Sequence, residues 1–143
     1  LAKCLEEAYI LYFNTRKDIK LNIIKPQNDI YFHFDTLQIS RCFNNLIKNA
    51  IEAVEKIPNP AVEVLMTTDA KNIKIEIKDN GVGIDEKMLS KIFEPYFTTK
   101  TKGTGLGLSI VKRIIEDHGG KIKIEKNKNM AGTKSLINFE YNA

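Results

Sequence analysis

At positions 73–83 the chain reads Ile73-Lys74-Ile75-Glu76-Ile77-Lys78-Asp79-Asn80-Gly81-Val82-Gly83. Isoleucines alternate with charged residues at the two-residue period of a strand that buries one face. Asp79 continues the parity of the isoleucines, so its carboxylate should point toward the buried side. A buried carboxylate is costly unless a donor bonds it, and a backbone N–H or a ligand's exocyclic amino group would serve. Both a strand-ending Asx turn and a ligand site therefore stay open for this stretch alone.

The composition is that of one globular domain large enough to bury a core. The chain has 143 residues, of which 43% are hydrophobic and 28% charged. No apolar run approaches the roughly 20 residues that cross a bilayer. The net charge of +4 comes from lysines spread over the whole chain. They lack the clustering typical of nucleic-acid binding, so we expect no direct nucleic-acid partner.

From this length we expect a single domain, residues 1–143. Because the first residue is Leu1 rather than Met, we expect the domain to be cut from a longer protein. Any membrane attachment would then lie in the missing N-terminal part. Cys4 and Cys42 are the only cysteines and have no metal-like or CxxC spacing. We expect a reducing, cytoplasmic setting, no zinc site, and a core-packing role for Cys42.

A long helix is the strongest element of the pattern. Apolar residues recur at three- and four-residue steps from about Asp35 until prolines, beginning with Pro58, end the helix. Asn45 and Asn49 share a second face of this helix. Because amides are poor choices for helix propensity, this stripe is either functional, a solvated face, or bonded to a neighbouring strand.

Strands and shorter helices surround this long helix. The predicted strands cover residues 19–24, 30–34, 61–68, 73–79, 121–126 and 133–141, and the other predicted helices cover residues 1–14, 86–92 and 108–118. Neighbouring strands are mostly joined by short turns. We therefore expect an α+β fold, a two-layer sandwich with a mixed, mostly antiparallel sheet covered on one face by helices.

A second glycine cluster opens into the last helix and reads Gly103-Thr104-Gly105-Leu106-Gly107-Leu108. Unpaired N–H groups and the helix dipole favour an anion at a helix start. Lys100 and Lys102 add mobile positive charge, so the cluster predicts a phosphate site, with a tight turn into the helix as the alternative. Neither GxxxxGK[ST] nor GxGxxG is present, which argues against a P-loop or Rossmann site.

Four ordered segments, residues 45–53, 79–84, 93–100 and 103–108, resemble the N, G1, F and G2 boxes of the histidine-kinase ATP-binding domain. The similarity covers the chain from about Asp35 to its end, and Gly132-Thr133 is similar to the last such element. Residues 94–100 look most like the nitrogen-regulation (NtrB/NtrY-like) branch of sensor kinases. The resemblance implies the Bergerat fold of the GHKL group, with ATP and Mg²⁺ bound.

The resemblance also implies residue roles. Asp79 would accept the adenine amino group, assisted by Thr133 through a water, and would repel the carbonyl of guanine. Asn49 would hold Mg²⁺ through its amide oxygen, with Asn45 near the phosphates. The implied catalytic residues are Asn45, Asn49 and Lys100, and the implied nucleotide contacts are Asn45, Asn49, Ala53, Asp79, Gly81, Gly83, Ile84, Lys100, Gly103, Thr104, Gly105, Leu106, Gly107, Leu108 and Thr133.

Asn45 separates this chain from related ATPases. In gyrase, Hsp90 and MutL a water-activating glutamate occupies the corresponding position, and an amide cannot act as that base. The resemblance therefore implies slow hydrolysis and transfer of the γ-phosphoryl group to a histidine on a dimerisation domain of the same, dimeric protein, with a response regulator downstream. No segment resembles that domain, so neither His33 nor His118 is the expected acceptor. We expect His118 to cap its helix or to pack.

Two other functions stay open. A serine kinase of the same fold, of the anti-sigma-factor or dehydrogenase-kinase type, would form an acid-stable phosphoprotein, whereas phosphohistidine is acid-labile. A non-catalytic nucleotide-sensing module would bind ATP without transferring phosphate. Glu52 and Ala53 also stand where many sensor kinases carry a basic and an aromatic residue, so a phosphate contact from position 52 stays open.

Overall fold

The computed structural model describes residues 1–26, 34–95, 107–127 and 131–140. These ranges form four helices and five strands. In chain order they are α1 (Ala2–Thr15), β1 (Lys20–Ile24), α2 (Thr36–Val54), β2 (Ala61–Thr68), β3 (Asn72–Asp79), α3 (Glu86–Leu89), α4 (Gly107–Asp117), β4 (Gly120–Lys126) and β5 (Thr133–Glu140).

The five strands form one mixed sheet in the order β1-β2-β3-β5-β4. β1 pairs with β2 in parallel, and the other neighbouring pairs are antiparallel. A parallel pair needs a crossover connection, which α2 supplies between β1 and β2. The predicted α+β sandwich with a mixed, mostly antiparallel sheet is confirmed.

The long helix α2 forms because it combines an N-cap with a continuous apolar face. The Asp35 carboxylate accepts a hydrogen bond from the Gln38 N–H at 3.2 Å, which satisfies one of the unpaired donors of the first turn. The buried residues of α2 are Ile39, Cys42, Phe43, Leu46, Ile47, Ala50, Ile51 and Val54. This face packs toward the sheet, α1 and α4, so α2 is the central helix of the helical layer.

Strand β3 confirms the alternation seen in the sequence. Ile73, Ile75 and Ile77 are buried, whereas the intervening residues are partly or fully exposed. The opposite face carries ion pairs between neighbouring strands, such as Lys134 Nζ to Glu125 at 2.9 Å. Only one face of the sheet therefore contributes to the hydrophobic core, as a two-layer sandwich requires.

Three expectations differ from the structure or lie outside it. The helix predicted for residues 86–92 ends at Leu89. The observed helix α3 buries none of its residues, and Ile92 is buried by the turns that follow it. The strand predicted at residues 30–34 lies outside the described residues, apart from Phe34. β1 pairs in parallel with β2, a pairing that the short turns predicted between neighbouring strands did not indicate. No helix in the described ranges is both long and apolar enough to cross a membrane.

We predict that Leu46→Ala lowers the free energy of unfolding by about 2–5 kcal/mol, because it leaves a cavity in the core. The control is Leu37→Ala on the same helix, since Leu37 is 84% exposed and Leu46 only 2%. The control should change stability by no more than about 0.5 kcal/mol. Urea unfolding of both variants measures the difference, and equal losses would contradict this packing of α2.

Candidate functional site

Asp79, at the end of β3, is the buried acid of the site. Its side chain points to the core side as predicted, and the residue is only 6% exposed. Its Oδ1 accepts two backbone hydrogen bonds, from Gly81 N–H at 2.9 Å and from Thr133 N–H at 3.3 Å. The first bond is an Asx turn, so the turn and a ligand site do not exclude each other.

The second carboxylate oxygen of Asp79 is left for another donor. Within the described residues no donor bonds Oδ2, and no buried side-chain nitrogen or oxygen there lacks a partner. Oδ2 therefore keeps an open side. Burial raises the pKa of this carboxyl, while the N–H groups of Gly81 and Thr133 act in the opposite direction. A ligand that donates to Oδ2 would stabilise the ionised form.

Two glycines allow the backbone to close around Asp79. A Cβ on Gly81 would lie 2.4 Å from the carbonyl oxygen of Ala53, at the end of α2. The Val82 N–H donates to that same oxygen at 3.3 Å. Gly132 has a φ of +122°, and a Cβ there would lie 2.0 Å from the carbonyl oxygen of Asp79. The turn after β3 thus contacts both α2 and the start of β5, which only glycine permits.

Two asparagines that were not predicted as site residues support this end. Asn127 is buried, and its Nδ2 donates to the carbonyl oxygen of Asp79 at 3.3 Å. The Asn80 side chain accepts from Ala61 N–H at 2.8 Å and donates to the Asn59 carbonyl at 2.9 Å. Asparagine at a strand end is a sequence signal for a turn. The partners are distant in sequence, so the signal could not identify them.

Asn45 and Asn49 lie one turn apart on α2, toward the opposite end of the site. Asn49 Nδ2 donates to Asn45 Oδ1 at 3.2 Å. Gly107, the first residue of α4, lies against this pair, since a Cβ on it would be 2.8 Å from Asn45 Nδ2. The structure therefore brings the amide stripe to the start of the helix that follows the second glycine cluster.

A cavity of about 260 Å³ adjoins this end, between α2 and α4. Its lining residues are Arg41, Cys42, Asn45, Gly107, Ile110, Val111 and Ile114. The described residues hold no group of three or more His, Cys, Asp or Glu side chains suited to a metal ion. A cation at this end would need ligands from amides, water or a bound anion.

The remaining predicted site residues divide into two groups. Gly83, with a φ of +76°, and the half-buried Ile84 follow the Asp79 turn. Leu108 packs against the core at the start of α4. The predicted contacts that lie outside the described residues are Lys100, Gly103, Thr104, Gly105 and Leu106.

Residues 34–142 match the model of one protein family, the histidine kinase-, DNA gyrase B- and HSP90-like ATPases. The chain belongs to this family. The match includes both ends of the site, Asp79 with its turn and the asparagines of α2. The class of protein is therefore an ATP-binding domain, as the resemblance implied.

Within this family the chain is similar to kinases, among them sensor histidine kinases. Sporulation kinase A of Bacillus subtilis is 41% identical over 113 residues, which are 79% of this chain and 18% of the relative. A putative NtrY-like sensor histidine kinase of Rickettsia bellii is 41% identical over 108 residues, 76% of this chain and 18% of the relative. The expected likeness to sensor kinases, with NtrY-like proteins among them, is confirmed. The chain spans less than a fifth of the length of these relatives.

Solved structures agree with this class. The catalytic domain of histidine kinase ThkA superposes with a TM-score of 0.86 at 32% identity, covering 99% of this chain and 95% of that one. ThkA in complex with the response regulator protein TrrA superposes with a TM-score of 0.81 at 30% identity, covering 98% of this chain and 40% of that one. The chain therefore has the fold of a histidine-kinase catalytic domain.

We predict that removing the charge at Asp79 and at Asp69 has opposite effects on stability. Burial raises the pKa of Asp79, so its contribution to stability is present below the ordinary carboxyl pKa and is lost as pH rises through the raised value. Asp79→Asn should therefore be at least as stable as the wild type near pH 8.

Asp69 provides the matched control at the other end of β3. Backbone N–H groups of Lys71 and Asn72 lower its pKa, so its contribution is present above the ordinary carboxyl pKa and is lost as pH falls through the lowered value. Asp69→Asn should be less stable than the wild type near pH 8. Urea unfolding between pH 4 and pH 8 measures both variants, and a stability loss in Asp79→Asn larger than that in Asp69→Asn would contradict the prediction.

Proposed function

We propose that this chain binds Mg-ATP and supplies its γ-phosphoryl group to a histidine on a separate dimerisation domain of the same protein. The observation that carries the proposal is the Asp79 carboxylate. It is buried and held through Oδ1 by two main-chain donors, with Oδ2 open at the end of β3.

The base of the nucleotide would bind at the Asp79 end. Oδ2 would accept a hydrogen bond from the adenine amino group, whereas a guanine carbonyl at that place would meet a carboxylate and be repelled. Gly81 and Ala53, in contact with each other, would form one wall of this site, and Gly83 and Ile84 another. The Thr133 main chain already bonds Oδ1, so this residue would act by holding the carboxylate.

The phosphates would bind at the Asn45 end. The hydrogen bond from Asn49 Nδ2 to Asn45 Oδ1 orients both amides. An amide oxygen such as that of Asn49 suits Mg²⁺, which commonly takes few protein ligands together with water and substrate phosphates. The ion would neutralise charge on the phosphates. Lys100, Gly103, Thr104, Gly105 and Leu106 would contact the phosphates, along with Gly107 and Leu108 at the start of α4.

Asn45 directs the chemistry toward transfer. A carboxylate at this place could take a proton from water, but an amide cannot act as a general base. Without a base beside the γ-phosphate, water is a poor nucleophile, and the phosphoryl group stays available for a better one. The catalytic contribution of Asn45, Asn49 and Lys100 would then be positioning and charge neutralisation, on which phosphoryl transfer chiefly depends.

The partners follow from the proposed reaction. The acceptor would be the phospho-acceptor histidine domain of the same protein acting as a dimer, and a response regulator would take the phosphoryl group next. The complex of the similar kinase ThkA with the response regulator TrrA supports this step. A cytoplasmic location suits a domain that uses ATP and carries two free, buried cysteines, Cys4 and Cys42.

We predict that Asp79→Asn weakens Mg-ATP binding at least about thirtyfold, because it loses a hydrogen bond to a charged acceptor and turns an amide donor toward the adenine amino group. Asp69→Asn makes the same charge change at the far end of β3 and should alter the affinity less than about twofold. Titration calorimetry measures both variants. Unchanged affinity in Asp79→Asn would contradict the proposed adenine site.

We also predict that the full-length protein, incubated with labelled ATP, forms an acid-labile, base-stable phosphoprotein. Phosphohistidine loses its phosphate in acid, whereas phosphoserine keeps it. The full-length Asp79→Asn variant should show no label. Acid-stable label would instead indicate a serine kinase of the same fold. Tight ATP binding without label, in the presence of the acceptor domain, would indicate a nucleotide-sensing module.

A further inference from the structure

His118 joins the end of α4 to the start of α2. Its Nδ1 lies 2.8 Å from the Ile114 carbonyl oxygen, so it caps its own helix as expected. Its Nε2 accepts a hydrogen bond from the main-chain N–H of Asp35 at 2.9 Å. A carbonyl can only accept and a main-chain N–H can only donate, so this pair of contacts requires the neutral ring with its proton on Nδ1.

Two further contacts between α2 and α4 show that the helices run in antiparallel directions. Cys42 Sγ lies 3.9 Å from the Val111 carbonyl, and Asn45 lies against Gly107. Asp35 and Cys42 are seven residues apart along α2. Their partners, His118 and Val111, are seven residues apart in the opposite direction along α4. The link is therefore in register with the Asn45 end, which lies about 15 Å away along α2.

We propose that neutral His118 is a positioning residue for ATP binding, because it sets the register of α4 against α2. A slip of α4 along α2 would move Gly107, the first residue of α4, away from Asn45. The base end would be less affected, since Asp79 is held by the turn after β3 and by β5. The inference rests on the proposed function, in which phosphates bind at the Asn45 end.

Protonation would break this link. The charged ring carries a hydrogen on both nitrogens, so its Nε2–H would face the Asp35 N–H, and two donors cannot bond. A charged ring would therefore release the end of α4 from the start of α2.

The test compares Mg-ATP and adenosine affinities, measured by titration calorimetry, for the wild type, His118→Ala and His118→Gln. We expect His118→Ala to weaken Mg-ATP binding about fivefold to tenfold, the effect of one hydrogen bond, and adenosine binding less than about twofold. The Gln carboxamide oxygen can accept from Asp35 N–H without titrating. His118→Gln should therefore stay within about twofold of the wild type at pH 7.5.

Rescue by glutamine supplies a readout that a purely structural role would not change. The ratio of Mg-ATP to adenosine affinity should be lower in His118→Ala than in the wild type and should be restored in His118→Gln. Asp35→Asn keeps the main-chain donor and should retain the ratio of the wild type, since the link does not use the carboxylate.

The outcomes separate this inference from the proposed function. Failure of the wild type to bind Mg-ATP would overturn the proposed function itself. Normal wild-type binding with an equal loss of ATP and adenosine affinity in His118→Ala would overturn only the positioning role. A loss of Mg-ATP affinity in His118→Gln as large as that in His118→Ala would overturn the positioning role as well. Should His118→Ala not fold, His118→Asn, whose carboxamide is one methylene shorter than that of glutamine, takes its place in the comparison.

Discussion

The site depends on a carboxylate buried at the end of a central strand. Burying the charge of Asp79 is unfavourable, and two main-chain donors, Gly81 N–H and Thr133 N–H, offset part of that cost. One donor comes from the turn after β3 and the other from the start of β5. The acid is therefore held in place only when those two segments close around it, which couples the site to the formation of the sheet.

Helix α2 connects the two ends of the site. Its carboxyl-terminal end contacts the Asp79 turn through the carbonyl of Ala53, and Asn45 meets the start of α4. Eight residues separate Ala53 from Asn45, or about 12 Å along a helix. That distance suits a nucleotide with its base at one end and its phosphates at the other. The buried face of α2 thus anchors a second face that carries the polar groups of the site.

Much of this could be predicted from the sequence, because periodicity reports which face of an element is buried. The alternation of Ile73, Ile75 and Ile77 placed Asp79 on the core side. The helical repeat gave the core face of α2 and left its asparagines on another face. The short helix after Gly83 was predicted too long, since a local pattern does not show that α3 buries none of its residues.

Contacts between distant segments could not be predicted in this way. Nothing in the local pattern pairs β1 with β2 in parallel, brings Asn127 to the Asp79 carbonyl, or joins His118 to Asp35. The sequence by itself determined the burial of Asp79, the amide stripe of α2 and the order of the glycine turns, because each is a property of neighbouring residues. Only the tertiary structure decided that Thr133 N–H joins the local Gly81 N–H in holding the carboxylate, and how α4 lies against α2. Those relations depend on the packing of segments that are far apart in the chain.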